Sequence, residues 1–338
     1  MLLTALVNAS APPPDHSAGA LIVYHPASGK VLLAHNADDP MLVASTTKLM
    51  TALVAVQRGD PDAVVVIREE WTRVEGSSMY LKAGEECTLR ELLQGLLLAS
   101  GNDAALALAG FLAGDTETFV GWMNEKASEL GLCHTHFENP HGLDAPNHFS
   151  SAADLAVIMS NALRNPLLRE IMGLTGCTVL GRRLVNHNKL LRSCDGVFAG
   201  KTGYTKDAGR CLVSCCSRGG MELICVTLSD PNDWRDHQTI YDWAYSSWKE
   251  VTLDPHKALC TVPVMNGSSE EMRLAPAEEI RICVPVEAQV EIRLSHPPFL
   301  LFPVSAGEEA GSAEIRCGEE TLERAPLVCM DDNDLGSC

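Results

Sequence analysis

Along this chain the spacing of apolar positions changes from strand-like to helical and back. Ala20 to Tyr24 and Lys30 to His35 are short apolar runs around Ser28-Gly29, which predicts a hairpin. From Ser45 to about Leu168 the period is helical. Lys48 to Val56 contains no Gly or Pro and reads as a buried helix with Ser45 in its first turn. Thr88 and Glu91 fit a capping box, followed by an apolar face of Leu89, Leu92, Leu93, Leu96 and Leu97. Gly101 permits a sharp turn, Asp103 opens an alanine-rich helix through Phe111, and a helix over Glu117 to Leu130 is stopped by Gly131. Strands return from Cys177 to Leu228, and a helix carrying Trp234, Tyr241 and Trp248 closes this part. Strands, then helices, then strands predict one sheet assembled from both ends of a domain. After Thr252-Leu253-Asp254-Pro255 the texture shifts to short alternating runs such as Ile280 to Val284 and Val290 to Leu294, broken by Gly and Pro, as in a small β-sandwich. The expected organisation is a lead segment over 1–17, a larger domain over 18–254 and a smaller one over 255–338.

Three short motifs fall at exposed joints of this pattern. In Ser45-Thr46-Thr47-Lys48, residues three apart share a helix face, so Lys48 can aim its amine at the Ser45 hydroxyl. A serine needs a base within hydrogen-bond reach, and a lysine serves only when deprotonated, which burial and nearby positive charge both favour. Ser100-Gly101-Asn102 displays a hydroxyl and an amide on a loop between two helices. The hydroxyl suits proton relay and the amide suits gripping a peptide bond. Lys201-Thr202-Gly203 lies at the edge of a strand pattern, where a cation and a hydroxyl suit a carboxylate and Gly203 lets another backbone approach. Each triplet alone is common turn chemistry. In this order they form the constellation of a serine enzyme that uses lysine as its base.

The chain resembles the low-molecular-mass penicillin-binding proteins, the serine-type D-alanyl-D-alanine carboxypeptidases, from about Ala18 to about Val328. Besides the three motifs, Ala44 to Thr51, Gly76-Ser77-Ser78-Met79-Tyr80-Leu81, Leu98 to Ala105, Asn139-Pro140-His141-Gly142-Leu143-Asp144 and Asn186-His187-Asn188-Lys189-Leu190-Leu191 carry the likeness. The resemblance implies a penicillin-binding-protein/β-lactamase-like α/β (α+β) fold. That fold has an antiparallel sheet with helices on both faces and a helical subdomain, followed by an all-β sandwich. It also implies roles. Ser45 would form the acyl-enzyme with Lys48 as base, Ser100 would relay protons and Asn102 would hold the substrate. Lys201 and Thr202 would bind the terminal carboxylate beside Gly203, and the backbone amides of Ser45 and Tyr204 would form the oxyanion hole. Arg235 stands where the family often supports the carboxylate site. The implied partners are peptidoglycan stem peptides and β-lactam antibiotics, with no cofactor and no metal. Two positions depart from the family: His25 stands where the first hairpin often carries Asp, and Met41-Leu42-Val43 replaces a more polar lead-in.

Charge narrows the partners further. The 338 residues carry 26 basic and 44 acidic side chains, a formal net charge of -18, which opposes binding to nucleic acid or anionic lipid. From Val251 to Cys338 there are 6 basic and 16 acidic residues. The 13 cysteines form no C-x-x-C pair set, and several, such as Cys211, Cys225 and Cys283, sit in apolar runs, so they read as small buried hydrophobes. Free thiols in an enzyme outside the membrane would suggest an anaerobic or weakly oxidising setting. Leu2 to Val7 followed by Ala9-Ser10-Ala11 looks like a clipped signal peptide, which implies an extracytoplasmic protein. No stretch is long enough to span a bilayer, and Asp331-Asp332-Asn333-Asp334 cannot serve as an amphipathic anchor, so membrane association would need a segment beyond this chain.

Rival readings are a β-lactamase of the same superfamily and a catalytically silent peptidoglycan-binding module. The first needs a carboxylate for deacylation, yet Glu138-Asn139-Pro140-His141 does not fit E-x-x-L-N. The second conflicts with the presence of every reacting side chain. His134, His136, His141 and His148 match no standard zinc spacing.

Overall fold

The computed structural model describes residues 11–266 and 270–332. The apolar lead Leu2 to Val7, the small residues Ala9-Ser10, and Asn333 and Asp334 of the acidic end lie outside the described residues. Contacts set Pro13–Ala244 apart as one compact unit, and Tyr245–Cys338 belongs to the other.

The first unit contains a five-stranded antiparallel sheet in the order β2-β1-β9-β8-β7, formed by β1 (Ala20–His25), β2 (Lys30–His35), β7 (Val197–Thr205), β8 (Gly209–Arg218) and β9 (Met221–Leu228). Its two ends come from the two ends of the segment, as the order of patterns predicts. Between them run α1 (Lys48–Arg58), the short pair β3 (Val64–Val66) and β4 (Glu86–Thr88), then α2 (Leu89–Leu98), α3 (Asn102–Ala113), α4 (Thr116–Glu129), α5 (Ala152–Leu163) and α6 (Pro166–Gly173). The hairpin β5 (Gly176–Val179) and β6 (Arg182–Val185) and the turn of α7 (Leu190–Ser193) lead back to the sheet, and α8 (Asp233–Ser247) follows it.

Local chemistry sets these boundaries. Thr88 and Glu91 form the predicted capping box. Asp115, Ser151 and Asn165 accept from the first free amides of α4, α5 and α6. His25, where the family often has Asp, accepts the Ser28 amide on Nδ1 at 3.3 Å and lies 2.7 Å from the Ser28 hydroxyl. An imidazole nitrogen thus does the turn-closing work of a carboxylate.

Both faces of the sheet are covered, so its central strands are apolar at almost every position. Ile22, Val213, Cys215, Ile224 and Val226 join the main core with Leu49, Leu53, Leu93, Leu108 and Leu155 of the helices. The alternate positions carry a buried polar seam to α8: Ser214 Oγ lies 2.7 Å from His237 Nδ1, Thr227 Oγ1 lies 3.0 Å from His237 Nε2, and Tyr241 donates to the Ser214 carbonyl at 2.8 Å. Trp248 does not continue the helix as its spacing predicts. It starts β10 (Trp248–Leu253), whose β-branched Val251 and Thr252 favour extension.

Past the end of α8 at Ser247, the regular structure of the second unit is all β among the described residues. β10 pairs with β13 (Ile280–Pro285). A six-stranded sheet runs β14-β16-β17-β12-β11-β15, from β11 (Cys260–Met265), β12 (Glu271–Pro276), β14 (Val290–Ser295), β15 (Leu300–Leu301), β16 (Glu309–Cys317) and β17 (Glu320–Cys329). Two small apolar clusters fill it, one around Leu274 and Leu327, the other around Ile282 and Ile315. No disulfide joins Cys87, Cys194, Cys211, Cys215, Cys225 or Cys329, which are buried as thiols. Burial pushes the Cys87 and Cys211 thiols up to about 12, which leaves them inert.

Candidate active site

The Ser45 segment is a single 3-10 turn, Ala44–Thr47, feeding directly into α1. Ala44 holds a left-handed φ of 45°, which costs a non-glycine residue strain. The strain is held by Thr47 of the same turn and by His148 and Gly142 from elsewhere. The Thr47 hydroxyl donates to the Ala44 carbonyl at 2.9 Å and lies 2.8 Å from His148 Nε2. His148 Nδ1 accepts the Glu138 amide at 3.1 Å, so the ring is neutral with its hydrogen on Nε2, pointing at Thr47. Burial keeps it so, lowering its pKa to about 4. Gly142, at φ 86°, lies so close that a Cβ there would meet the Ala44 oxygen at 2.0 Å.

Lys48 is fully buried. Its Nζ lies 2.9 Å from Ser45 Oγ, 2.7 Å from Asn102 Oδ1 and 2.5 Å from the His141 carbonyl oxygen. Burial, then the Lys201 charge, hold this amine well below an ordinary lysine, while Asp103 pulls the other way. A neutral amine has two hydrogens and one lone pair. Asn102 and His141 can only accept from it, so they take both hydrogens and the lone pair faces the Ser45 hydroxyl. Asn102 is oriented in turn by donating Nδ2 to the Glu75 carbonyl at 2.7 Å. Asp103 accepts from the Ser78 hydroxyl and the amides of Met79 and Leu81, which fixes the Gly76–Leu81 block beside the site.

Lys201, on β7, is equally buried. Its Nζ donates to Ser100 Oγ at 2.9 Å and to the Thr202 carbonyl at 2.7 Å. Burial lowers its pKa to about 7. Ser100 sits at φ 58° on the turn between α2 and α3. A Cβ on Gly203 would stand 3.0 Å from the Ser45 amide, so only glycine leaves the space between β7 and the serine open.

A cleft of about 520 Å³ opens on this group, lined by Ser45, Ser100, Thr202, Gly203 and Tyr204 of the predicted residues. Asn102 and the two lysines stand behind its wall, linked through the contacts above. Arg235 is exposed on α8 and is not in the lining. Arg210 is the arginine of α8's neighbourhood that faces the cleft, gripped in a fork by Asp233 at 2.9 and 2.8 Å and lying beside Trp234. His187, also in the lining, is kept neutral by burial and then by the two lysines. Asn186 and Asn188 shape its turn: Asn186 Oδ1 accepts the Asn188 amide and Asn188 Oδ1 the Leu190 amide. Glu138, the carboxylate a β-lactamase reading would enlist, is exposed and hydrogen-bonded to Asn147 through its amide and side chain. Among the described residues no cluster of His, Cys, Asp and Glu could hold a metal, and no helix is long and apolar enough to cross a membrane.

The sequence profile of the D-alanyl-D-alanine carboxypeptidases matches residues 7–232. The chain is 34% identical to D-alanyl-D-alanine carboxypeptidase DacC of Escherichia coli, over 96% of this chain and 86% of that protein. It is 32% identical to DacF of Bacillus subtilis, over 94% and 86%. Penicillin-binding protein 5 from Haemophilus influenzae superposes with a TM-score of 0.79 at 28% identity, covering 96% of this chain and 99% of that one.

Proposed function

The chain belongs to the D-alanyl-D-alanine carboxypeptidase family and is a serine-type enzyme of the penicillin-binding kind, and from that premise we propose that Ser45 attacks the terminal peptide bond of peptidoglycan stem peptides. Lys48 takes the Ser45 proton as the oxygen bonds to the carbonyl carbon of the penultimate D-alanine. The developing oxyanion sits between the amides of Ser45 and Tyr204. The proton then reaches the leaving D-alanine nitrogen through Lys48 and the Ser100 hydroxyl, leaving an ester on Ser45 that water cleaves. Asn102 grips the substrate backbone, and Lys201 with Thr202 receives the terminal carboxylate, with Gly203 leaving room for the substrate strand beside β7. Arg210, unlike Arg235, lines the cleft and can support that carboxylate from within it. A β-lactam offers the same carboxylate and an acyl carbonyl, so it acylates Ser45 covalently.

The observation that carries this reading is the placement of Lys48 Nζ, 2.9 Å from Ser45 Oγ and held by two fixed acceptors, Asn102 Oδ1 and the His141 carbonyl. We also assign the catalytic part to the first unit and the protein to the cell envelope, outside the cytoplasmic membrane. The test is Ser45→Ala. D-Alanine release from diacetyl-Lys-D-Ala-D-Ala and labelling by a fluorescent penicillin should both vanish. Labelling that persists at Ser100 or Ser77 would refute the assignment, and cephalosporin turnover at tens per second by the unaltered enzyme would favour the β-lactamase.

A further inference from the structure

A second hollow, of about 360 Å³, continues from the cleft and shares Ser77, Val185 and His187 with it. Its far side is Arg182 and Arg183 of β6, facing Tyr80. This is a built corner of the fold. Tyr80 holds a left-handed φ of 63° and is 74% exposed, on a segment that Asp103 pins through three hydrogen bonds. Arg182 donates to Glu85 at 2.5 Å, which ties the β5–β6 hairpin to the loop before β4, and its Nη1 is buried without an acceptor. Strand alternation puts Arg183 on the exposed face with Val185, and Val185 borders both hollows. Two strand residues span about 6.6 Å, so Arg183 lies roughly two peptide units further from the reacting serine than Val185 does. Its guanidinium has no acidic partner among the described residues.

We propose that this hollow is a second anion subsite, in which Arg183, backed by Arg182, receives a carboxylate on the part of the peptide upstream of its D-alanyl-D-alanine terminus. The inference rests on the proposed reaction at Ser45. Two sources fit the chemistry: a side-chain carboxylate on the residue just before the two D-alanines, or the free α-carboxylate of a γ-linked glutamate one position further. The first subsite reads the terminus that leaves; this one would read the part retained on the enzyme. In a chain of net charge -18 an acidic peptide is disfavoured over most of the surface, which sharpens selection at a basic corner.

The test compares kcat/KM for three peptides: neutral diacetyl-Lys-D-Ala-D-Ala, the same tripeptide with a succinyl group in place of the side-chain acetyl, and the neutral tripeptide extended by γ-D-glutamate. The unaltered enzyme should prefer at least one acidic peptide by about tenfold, the scale of one charge-assisted contact. Arg183→Ala should remove that preference and leave the neutral tripeptide unchanged, and Arg183→Glu should invert it. Loss confined to the succinyl peptide identifies the side chain as the source; loss confined to the γ-D-glutamyl peptide identifies the α-carboxylate. Equal rates on all three, or an Arg183→Ala enzyme slowed equally on all, would overturn the subsite while turnover of the neutral peptide still upheld the reaction at Ser45. Failure on every peptide would overturn both.

Discussion

The two walls of the cleft each bury one lysine, and the lysines differ in almost everything except burial. On the helical wall Lys48 has two fixed acceptors, Asn102 Oδ1 and the His141 carbonyl, and a hydroxyl in its third direction. On the strand wall Lys201 has its own chain's Thr202 carbonyl and the Ser100 hydroxyl. Burial alone brings Lys201 to about 7, so near neutrality it is still partly a cation. Lys48 feels the same burial and, in addition, the Lys201 charge. The pair therefore loses its first proton from Lys48. The proposed reaction asks one residue type for a base on one wall and an anion anchor on the other, and the difference lies in who else is within 3 Å.

The sharpest way to break this comparison is to exchange charge for geometry. Arginine never deprotonates in a protein, so Lys48→Arg keeps a cation and removes the base. Acylation by penicillin should fall by roughly a thousandfold or more, near the cost of losing the nucleophile itself. Rapid labelling by Lys48→Arg would mean that the base lies elsewhere. The same exchange on the other wall should be milder, because Lys201 is asked for charge.

Lys201→Ala tests that asymmetry. A carboxylate left without its cation should cost about 1.5–3 kcal/mol, or roughly ten- to a hundredfold in kcat/KM for a free-acid peptide. An amidated tripeptide, which lacks the anion, should be much less affected. Equal losses on the acid and the amide would assign Lys201 to proton transfer. The pH dependence follows from the same group. As pH rises through about 7, Lys201 loses its charge, so KM for the free acid should climb while that for the amide does not.

Much of this architecture is legible in the order of residues alone. The sheet built from both ends follows from the order of strand and helix patterns, although β1 meets β9 across the whole unit. The hairpin, the capping box of α2 and the helix after Ser45 follow from spacing, because each depends on neighbours within a few residues. The three motifs expose the reacting groups for the same reason. What spacing hides is long-range. His148 meets Thr47 across 101 positions, and nothing near either residue announces the other; a histidine-rich stretch raises the question of a metal, whereas His148 holds a turn. Arg235 stands out through its place in the chain, but helix phase turns it to solvent, and Arg210 reaches the cleft because its strand neighbour in β7 is Tyr204. Trp248 keeps the helical spacing and still joins a strand, since pairing with β13 decides that stretch.

Acid should loosen the helical wall. His148 is depressed from 6.5 to about 4 by burial, and His141 to about 3 for the same first reason. A histidine whose folded pKa is lowered contributes stability above its unfolded pKa. That contribution is lost as pH falls below 6.5 and is exhausted once pH passes the folded value. For His148 alone the loss between pH 7 and pH 5 is about 2 kcal/mol. Urea midpoints should fall accordingly, and His148→Gln, which can still accept at one atom and donate at another, should flatten the slope. An unchanged slope in that variant would mean that His148 is not the titrating group.

The smallest expected effect on rate lies at Thr47, and it separates holding the turn from doing chemistry. Thr47→Val keeps the shape and removes the hydroxyl that joins His148 to the Ala44 carbonyl. Two buried partners lose their bond, which should cost about 1–3 kcal/mol of stability. No reacting atom is lost, because Ser45 and Lys48 keep each other and Lys48 keeps Asn102 and His141. The rate effect should therefore come only through the position of Ser45, as a several-fold drop in acylation at 25 °C with an unaltered pH profile. The left-handed Ala44 should relax toward an ordinary helical φ once its carbonyl is released, carrying Ser45 Oγ away from Lys48. Ala44→Gly in the Thr47→Val background should then restore part of the rate, since glycine holds the left-handed conformation without strain. A Thr47→Val enzyme whose pH profile shifts instead would place Thr47 in the proton path and erase the distinction between the residues that shape the helical wall and those that react on it.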